Sequence, residues 1–200
     1  ELFDTATDPH CIHNLAFDPM YRDTLVNMRS QLRQWQLKHF DAGLLPESEM
    51  VLRAEKHGLT IYEMVRNAEI YPLADLLDAA DAALKSEEHV DIDQLVTMLD
   101  SRDSGIRYWA CVGLFRLGPG ARGQKDALRR MLNDTSDEVV AIASWALYNL
   151  GEESLARRRL RSLLENNSPA SLKVVNIIDW IADDPVPIIA TFFPEKFCSS

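Results

Sequence analysis

Three side chains able to bind a metal stand within four residues of one another: His10, Cys11 and His13, in the run His10-Cys11-Ile12-His13. Imidazole and thiolate are good zinc donors, but a zinc site draws further ligands from a second, properly spaced pair. His39, His57 and Cys198 form no such pair. The run reads as a surface loop, and no metal ligand is assigned in this chain. Arg157, Arg158, Arg159 and Arg161 form the one basic run. Leu155, Leu160, Leu163 and Leu164 share its helix and take the buried face. The arginines become a solvated face, expected to pair with Glu152, Glu153 and Glu165 along the helix. Trp109, Trp145 and Trp180, flanked by Tyr108 and Tyr148, make a third set. Such rings could form a ledge for sugars, but aromatics at helical spacing more often pack in cores and between helices. Packing is therefore the reading adopted.

Catalytic signatures are missing. There is no Gly-rich phosphate loop, no GxSxG, no HExxH and no EF-hand loop; Gly118-Pro119-Gly120 is a turn. No residue is assigned a catalytic or cofactor-binding role. Cys11, Cys111 and Cys198 are odd in number and widely spaced, which implies neither a disulfide framework nor a CxxC site. Cys111, between Ala110 and Val112, reads as a small buried filler. The net charge of −10 argues against nucleic acid as a partner. It also disfavours an anionic membrane surface or a sulfated polysaccharide as a ligand of this stretch. No segment reaches the roughly 18 apolar residues of a membrane-spanning helix. No signal peptide is visible at Glu1, and the compartment stays open.

The elements that must carry these residues are helices. Glu1 to Ala16 is loop and turn, with Glu1-Leu2-Phe3-Asp4 as a possible short strand. Asp18-Pro19 is a helix start, with Asp18 as N-cap and Pro19 in the first position. Tyr21, Leu25, Met28, Leu32 and Trp35 follow at spacings of four, three, four and three, an apolar stripe on one long helix ended near Gly43. Pro46 to His57 predicts a second helix stopped at Gly58, and Thr60 to Glu63 a capping box for a brief third. Pro72 starts another, with Leu73, Leu76, Leu77, Ala80 and Leu84 on one face. Asp91 to Gln94 resembles a second capping box. Ile188 to Phe193 could be extended.

From Asp91 on, the sequence repeats itself. Leu95–Leu99 with Asp103–Gly118 aligns with Leu128–Leu132 and Ser136–Gly151 at an offset of 33. Leu160–Leu164 with Ser168–Ile181 follows at an offset of 32. Each unit reads as a short leucine helix, a polar turn and a longer helix. Ile106 matches Val139, Ala110 matches Ala143, and Leu114 matches Leu147. The third unit is degenerate: Ser171, Val175 and Asp179 occupy those slots, and a one-residue slip would bring in Leu172, with Ile178 or Trp180 in the last. The pattern resembles HEAT repeats, in which stacked hairpins bury what one hairpin cannot. The expected fold is all-α: a HEAT-like solenoid of helical hairpins with a right-handed turn, preceded by a loop and long helix. Leu95, Leu99, Ile106, Ala110, Leu114, Leu117, Leu128, Leu132, Val139, Ala143, Leu147, Leu150, Leu160 and Leu164 are its predicted core.

The first forty residues carry a family resemblance. Glu1-Leu2-Phe3-Asp4, Asp8-Pro9-His10, Asn14-Leu15-Ala16, Asp18-Pro19 and the helix with Met28, Arg29, Leu32 and Trp35 resemble the C-terminal closing motif of type I sulfatases. Bacterial heparan N-sulfatase-like and arylsulfatase-like members look most similar. Cys11 stands where that family usually has Glu, and His13 where Asn is common. The resemblance implies the last strand of a small antiparallel sheet, a loop, and a helix packed on that sheet. It also implies, for the catalytic domain missing here, a formylglycine from a C/S-x-P-S-R motif, a calcium ion, and hydrolysis of sulfate esters or sulfamates, including those of glycosaminoglycan-type sugars. None of those motifs is in this sequence.

The expected organisation is therefore 1–45 closing motif, 46–90 connecting helices, 91–182 three HEAT-like repeats and 183–200 tail. The chain is expected to be inert alone, a non-catalytic C-terminal fragment of a sulfatase whose parent is periplasmic or secreted. Its expected partner is the missing catalytic domain. With that partner gone, Glu1–Asp4 would leave backbone groups unpaired and Leu2 or Phe3 exposed. The stripe Tyr21, Leu25, Met28, Leu32 and Trp35 would fold onto the helices of Pro46–Lys85 or self-associate. The alternative is a free-standing HEAT-repeat scaffold for protein partners.

Overall fold

The computed structural model describes residues 1–181. The expectations for Ile188–Phe193, Cys198 and the 183–200 tail lie outside these residues. The chain divides into two compact units, Glu1–Asp41 and the part from Ala42 onward. Among the described residues there are ten α-helices and no strand.

In the first unit, Glu1–Asp4 is not the expected strand. Its backbone is satisfied another way. The Asn14 side-chain oxygen accepts from the N–H of Leu2 at 2.9 Å and of Ala16 at 3.1 Å. Leu15 N–H donates back to the Leu2 carbonyl at 2.7 Å. Leu2 is consequently buried and Phe3 half-buried, correcting the expectation of an exposed, unpaired edge. Asp18 caps as its side chain predicts, accepting from Met20 N–H at 2.8 Å, but the Pro19–Tyr21 turn it starts is a 3-10 turn. Helix α1 (Arg22–His39) follows. It ends at Phe40, so that Gly43 lies past its end rather than closing it: Phe40 itself takes the left-handed conformation (φ 56°, ψ 57°) that closes a helix. No residue of α1 is buried.

The second unit begins with α2 (Glu47–Lys56), stopped by Gly58 at positive φ, and α3 (Ile61–Met64), which carries the complete Thr60–Glu63 capping box. Helix α4 (Leu73–Leu84) starts after Pro72 and buries Leu73, Leu76, Leu77 and four alanines. Then come α5 (Ile92–Met98) and α6 (Ser104–Arg116), α7 (Lys125–Met131) and α8 (Asp137–Asn149), and α9 (Glu153–Glu165) and α10 (Ser171–Ile181). Asp91 supplies half of the expected capping box, its side chain accepting from Gln94 N–H. Within each pair the two helices touch, and α4, α6, α8 and α10 pack in sequence.

Three connected clusters form the core. Leu44, Leu45, Met64, Tyr71, Leu76 and Leu77 surround the start of the unit; Leu95, Leu114, Leu128, Val139 and Leu147 fill its middle; Val140, Leu160, Leu163, Val174 and Ile177 fill its end. Of the predicted core positions all are buried except Ile106 and Leu117, which are half-buried. Ile106 packs against the first cluster from its edge. Ala110 and Ala143 are fully buried. Gly113 brings α6 against α4 and α5: an added Cβ would lie 2.8 Å from Leu95 and 3.2 Å from the Ala83 backbone. In α10 Ile178 is buried as one of the two alternatives for the last slot, whereas Leu172 does not fill the first. Val174, Ile177 and Ile178 are buried, while Leu172 and Trp180 are 74% and 77% exposed.

Candidate functional site

The His10–His13 loop is shaped by one carboxylate. Asp8 accepts from the backbone N–H of His13 at 2.7 Å, and this donation, with that of Ile12, holds its pKa below the usual aspartate value. Cys11, exposed, sits at φ 52° in the bend. No group of three or more His, Cys, Asp or Glu side chains placed to hold a metal occurs among the described residues. Cys111, on α6, is fully buried, and burial pushes its thiol pKa up, away from the thiolate that chemistry would need.

The aromatic set is tied into packing at two of its three tryptophans. Trp109 donates its indole N–H to the Leu44 carbonyl at 2.8 Å. Trp145 lies 4.3 Å from Phe115 between ring centroids and 6.1 Å, edge on, from Trp180. Trp180 is the exposed member.

The arginine run distributes differently from the expectation. Glu152 does not pair with it but with α7, at 2.6 Å from Arg129 and 3.5 Å from Lys125, and Arg129 holds the Glu152 carboxyl below its ordinary pKa. Arg157 donates to the Tyr148 hydroxyl at 2.9 Å. Arg159 reaches back across the helix pair to the Leu132 carbonyl at 2.7 Å, closing one of the carbonyls that α7 leaves open at its end.

The densest polar constellation was invisible to motif reading. It runs along the turns that start α6, α8 and α10, with α2 laid across it. Glu49 bridges two helix starts: one carboxylate oxygen accepts from the Ser104 hydroxyl and the other from the Ser136 hydroxyl at 2.8 Å. Arg53 donates to Asp103 at 2.9 and 3.2 Å and to the Ile70 carbonyl at 2.9 Å. Arg107 forks onto Asp134 at 2.6 and 2.7 Å, with both side chains largely buried. Its Asp134 hydrogen bonds raise the guanidinium pKa further. Ser48 donates to one oxygen of the buried Glu138, and the Lys173 ammonium lies 2.5 Å from the other, in place of a hydrogen bond of ordinary geometry. Paired charges and hydroxyls of this kind fix helix ends.

The remaining feature is α1. Met28, Leu32 and Trp35 are 54%, 56% and 56% exposed, with Tyr21 and Leu25 half-buried. Phe17 and Met20, just before the helix, are more exposed still. An apolar stripe of this length left open to water marks a surface that normally meets something.

One comparison with a known protein gives a match. Over 51 residues, 26% of this chain, the sequence is 43% identical to an ulvan-active sulfatase of Formosa agariphila. The matched stretch covers 9% of that protein's length. No family model matches the chain, and no solved structure matches it. A quarter of this chain, all-helical among its described residues, is thus similar to a small part of a sulfatase.

Proposed function

We propose that this chain is a non-catalytic C-terminal part of a sulfatase-family hydrolase. Residues 1–45 close the catalytic domain, and the hairpins of residues 91–182 form a HEAT-like solenoid with a structural and binding role. The similarity to the ulvan-active sulfatase carries this reading. The open stripe of Tyr21, Leu25, Met28, Leu32 and Trp35 supports it, because a closing helix removed from its sheet would look this way. The partner is then the catalytic domain of the same protein; without it, the stripe offers a seam for self-association. The parent acts on sulfate esters or sulfamates, with ulvan and glycosaminoglycan-type sugars as the polymers to assay. Calcium and formylglycine belong to the catalytic domain and to no residue here.

The solenoid part rests on repeated geometry. Helices α6 and α8 begin 33 residues apart, at Ser104 and Asp137. Gly118 and Gly151 both take positive φ after them, a conformation that glycine enters without steric cost. That internal core also favours the second reading, a free-standing repeat scaffold. The coding sequence in frame upstream of Glu1 separates the two. The proposal expects a C/S-x-P-S-R motif there and sulfate release by the whole product. An in-frame stop, or a catalytic domain of another class, would overturn it.

A further inference from the structure

We infer that the groove between α7 and α9 is a binding site for sulfate-bearing saccharides. The groove encloses about 390 Å³ and is lined by Arg129, Leu132, Asn133, Leu155, Arg158, Arg159 and Ser162. That volume falls within the roughly 300–1,000 Å³ range of small-ligand sites. Three guanidinium groups and no carboxylate line it, in a chain of net charge −10.

Two of the three arginines are held in place by their neighbours. Arg159 spends Nε on the Leu132 carbonyl and one Nη1 hydrogen on the Ser162 hydroxyl, at 2.7 and 3.4 Å. A guanidinium has five N–H donors, so three take no part in those bonds. Arg129 is braced between Asp126 at 2.5 Å and Glu152 at 2.6 Å and keeps 43% of its side chain exposed. Arg158 is exposed. Planar forks fixed by their neighbours match two oxygens of a sulfate group at once, which a flexible ammonium does not.

Asp126 and Glu152 offset Arg129, so the positive charge left to the groove is that of Arg158 and Arg159. At ~0.15 M salt the screening length is about 8 Å, so the more distant charges of the acidic chain weigh less inside it. Leu132 and Leu155 supply apolar surface for the face of a sugar ring. No aromatic side chain lines the groove, and bases of single-stranded nucleic acid need aromatic platforms to stack on, which favours a glycan over RNA. The choice of a glycan among anions rests on the sulfatase reading; the affinity for anions does not.

The test is calorimetric titration of the purified chain with dextran sulfate, with uncharged dextran, and with polyuridylate of matched charge, at ~50 mM salt. Arg158→Glu places the reversed charge in the groove at an exposed position. Lys85→Glu makes the same change in net charge at an exposed residue outside the groove lining. Binding of dextran sulfate alone is expected, weakened about tenfold or more by Arg158→Glu and less than about twofold by Lys85→Glu. No binding, equal loss in the two variants, or polyuridylate bound as tightly would overturn the assignment. The titration needs no catalytic domain. A null result therefore removes the groove and leaves the sulfatase reading standing. Binding in a chain whose upstream frame lacks the sulfatase motif supports the groove and removes only that reading.

Discussion

Helix α1 has 18 residues and buries none of them, whereas α8 has 13 and buries nine. Both are amphipathic on paper. What differs is how each is stabilised. Helix α8 is flanked by α6, α7 and α9, and every apolar side chain from Val139 to Leu147 except Trp145 is buried. Helix α1 depends on local devices: Asp23 in its first turn, Lys38 and His39 in its last, and an Asn27–Gln31 hydrogen bond at 2.5 Å. Most helical stability in proteins comes from packing an amphipathic face, which α1 lacks. On the proposal above, the stripe of five large apolar positions is the face that a partner covers.

The strongest way to break the comparison is at the buried ion pair of the second unit. Asp134→Ala leaves the largely buried Arg107 without its fork and the Ser136 N–H without its acceptor. A loss of about 3–5 kcal/mol is expected, read as a lower midpoint in urea unfolding. Next is a matched pair of truncations. Leu147→Ala empties a fully buried site and should cost about 2–5 kcal/mol, whereas Leu32→Ala on α1 should change the same midpoint by under about 0.5 kcal/mol. Equal effects would erase the distinction between the units. Trp145→Ala falls between them. A fully buried ring would cost about 3–5 kcal/mol; Trp145 is half-buried against Phe115, and roughly half of that is expected.

These expectations also mark what the sequence reveals and what it hides. Local rules were readable: the Thr60–Glu63 capping box, the Asp18 cap, Gly58, Pro72, and the offset that pairs Ala110 with Ala143. Each involves residues a few positions apart or an identical pattern repeated. The Glu49–Ser136 and Ser48–Glu138 bridges join residues 87 and 90 positions apart, and no spacing rule reaches that far. Glu152 went to Arg129 on the preceding helix because the hairpin brings α7 closer than the helical neighbours expected on α9. Phe40 closes α1 in a conformation that glycine would have advertised. In the third unit the apolar residues of α10 are denser than its slots: Val174, Ile177 and Ile178 take the interior and Leu172 does not.

The smallest effect concerns the loop of the first unit. The folded pKa of Asp8 is depressed by the His13 and Ile12 N–H groups. Its contribution to loop order is therefore present above the ordinary aspartate pKa and lost as pH falls through the lowered folded value. A carboxyl titration by NMR should place Asp8 below an unstructured aspartate, with the His13 amide signal moving at the same midpoint. Asp8→Asn should abolish that midpoint and leave the unfolding of the second unit unchanged.

Hydrogen exchange on the dilute chain tests the central contrast most directly, because it reports each helix separately. If α1 is a closing helix waiting for its partner, amides from Arg22 to His39 exchange orders of magnitude faster than those of α6 and α8. Their protection then rises with protein concentration as the stripe finds a second copy, and Leu25→Glu with Leu32→Glu removes that rise. Protection of α1 equal to that of α8 at the lowest concentration would contradict the account.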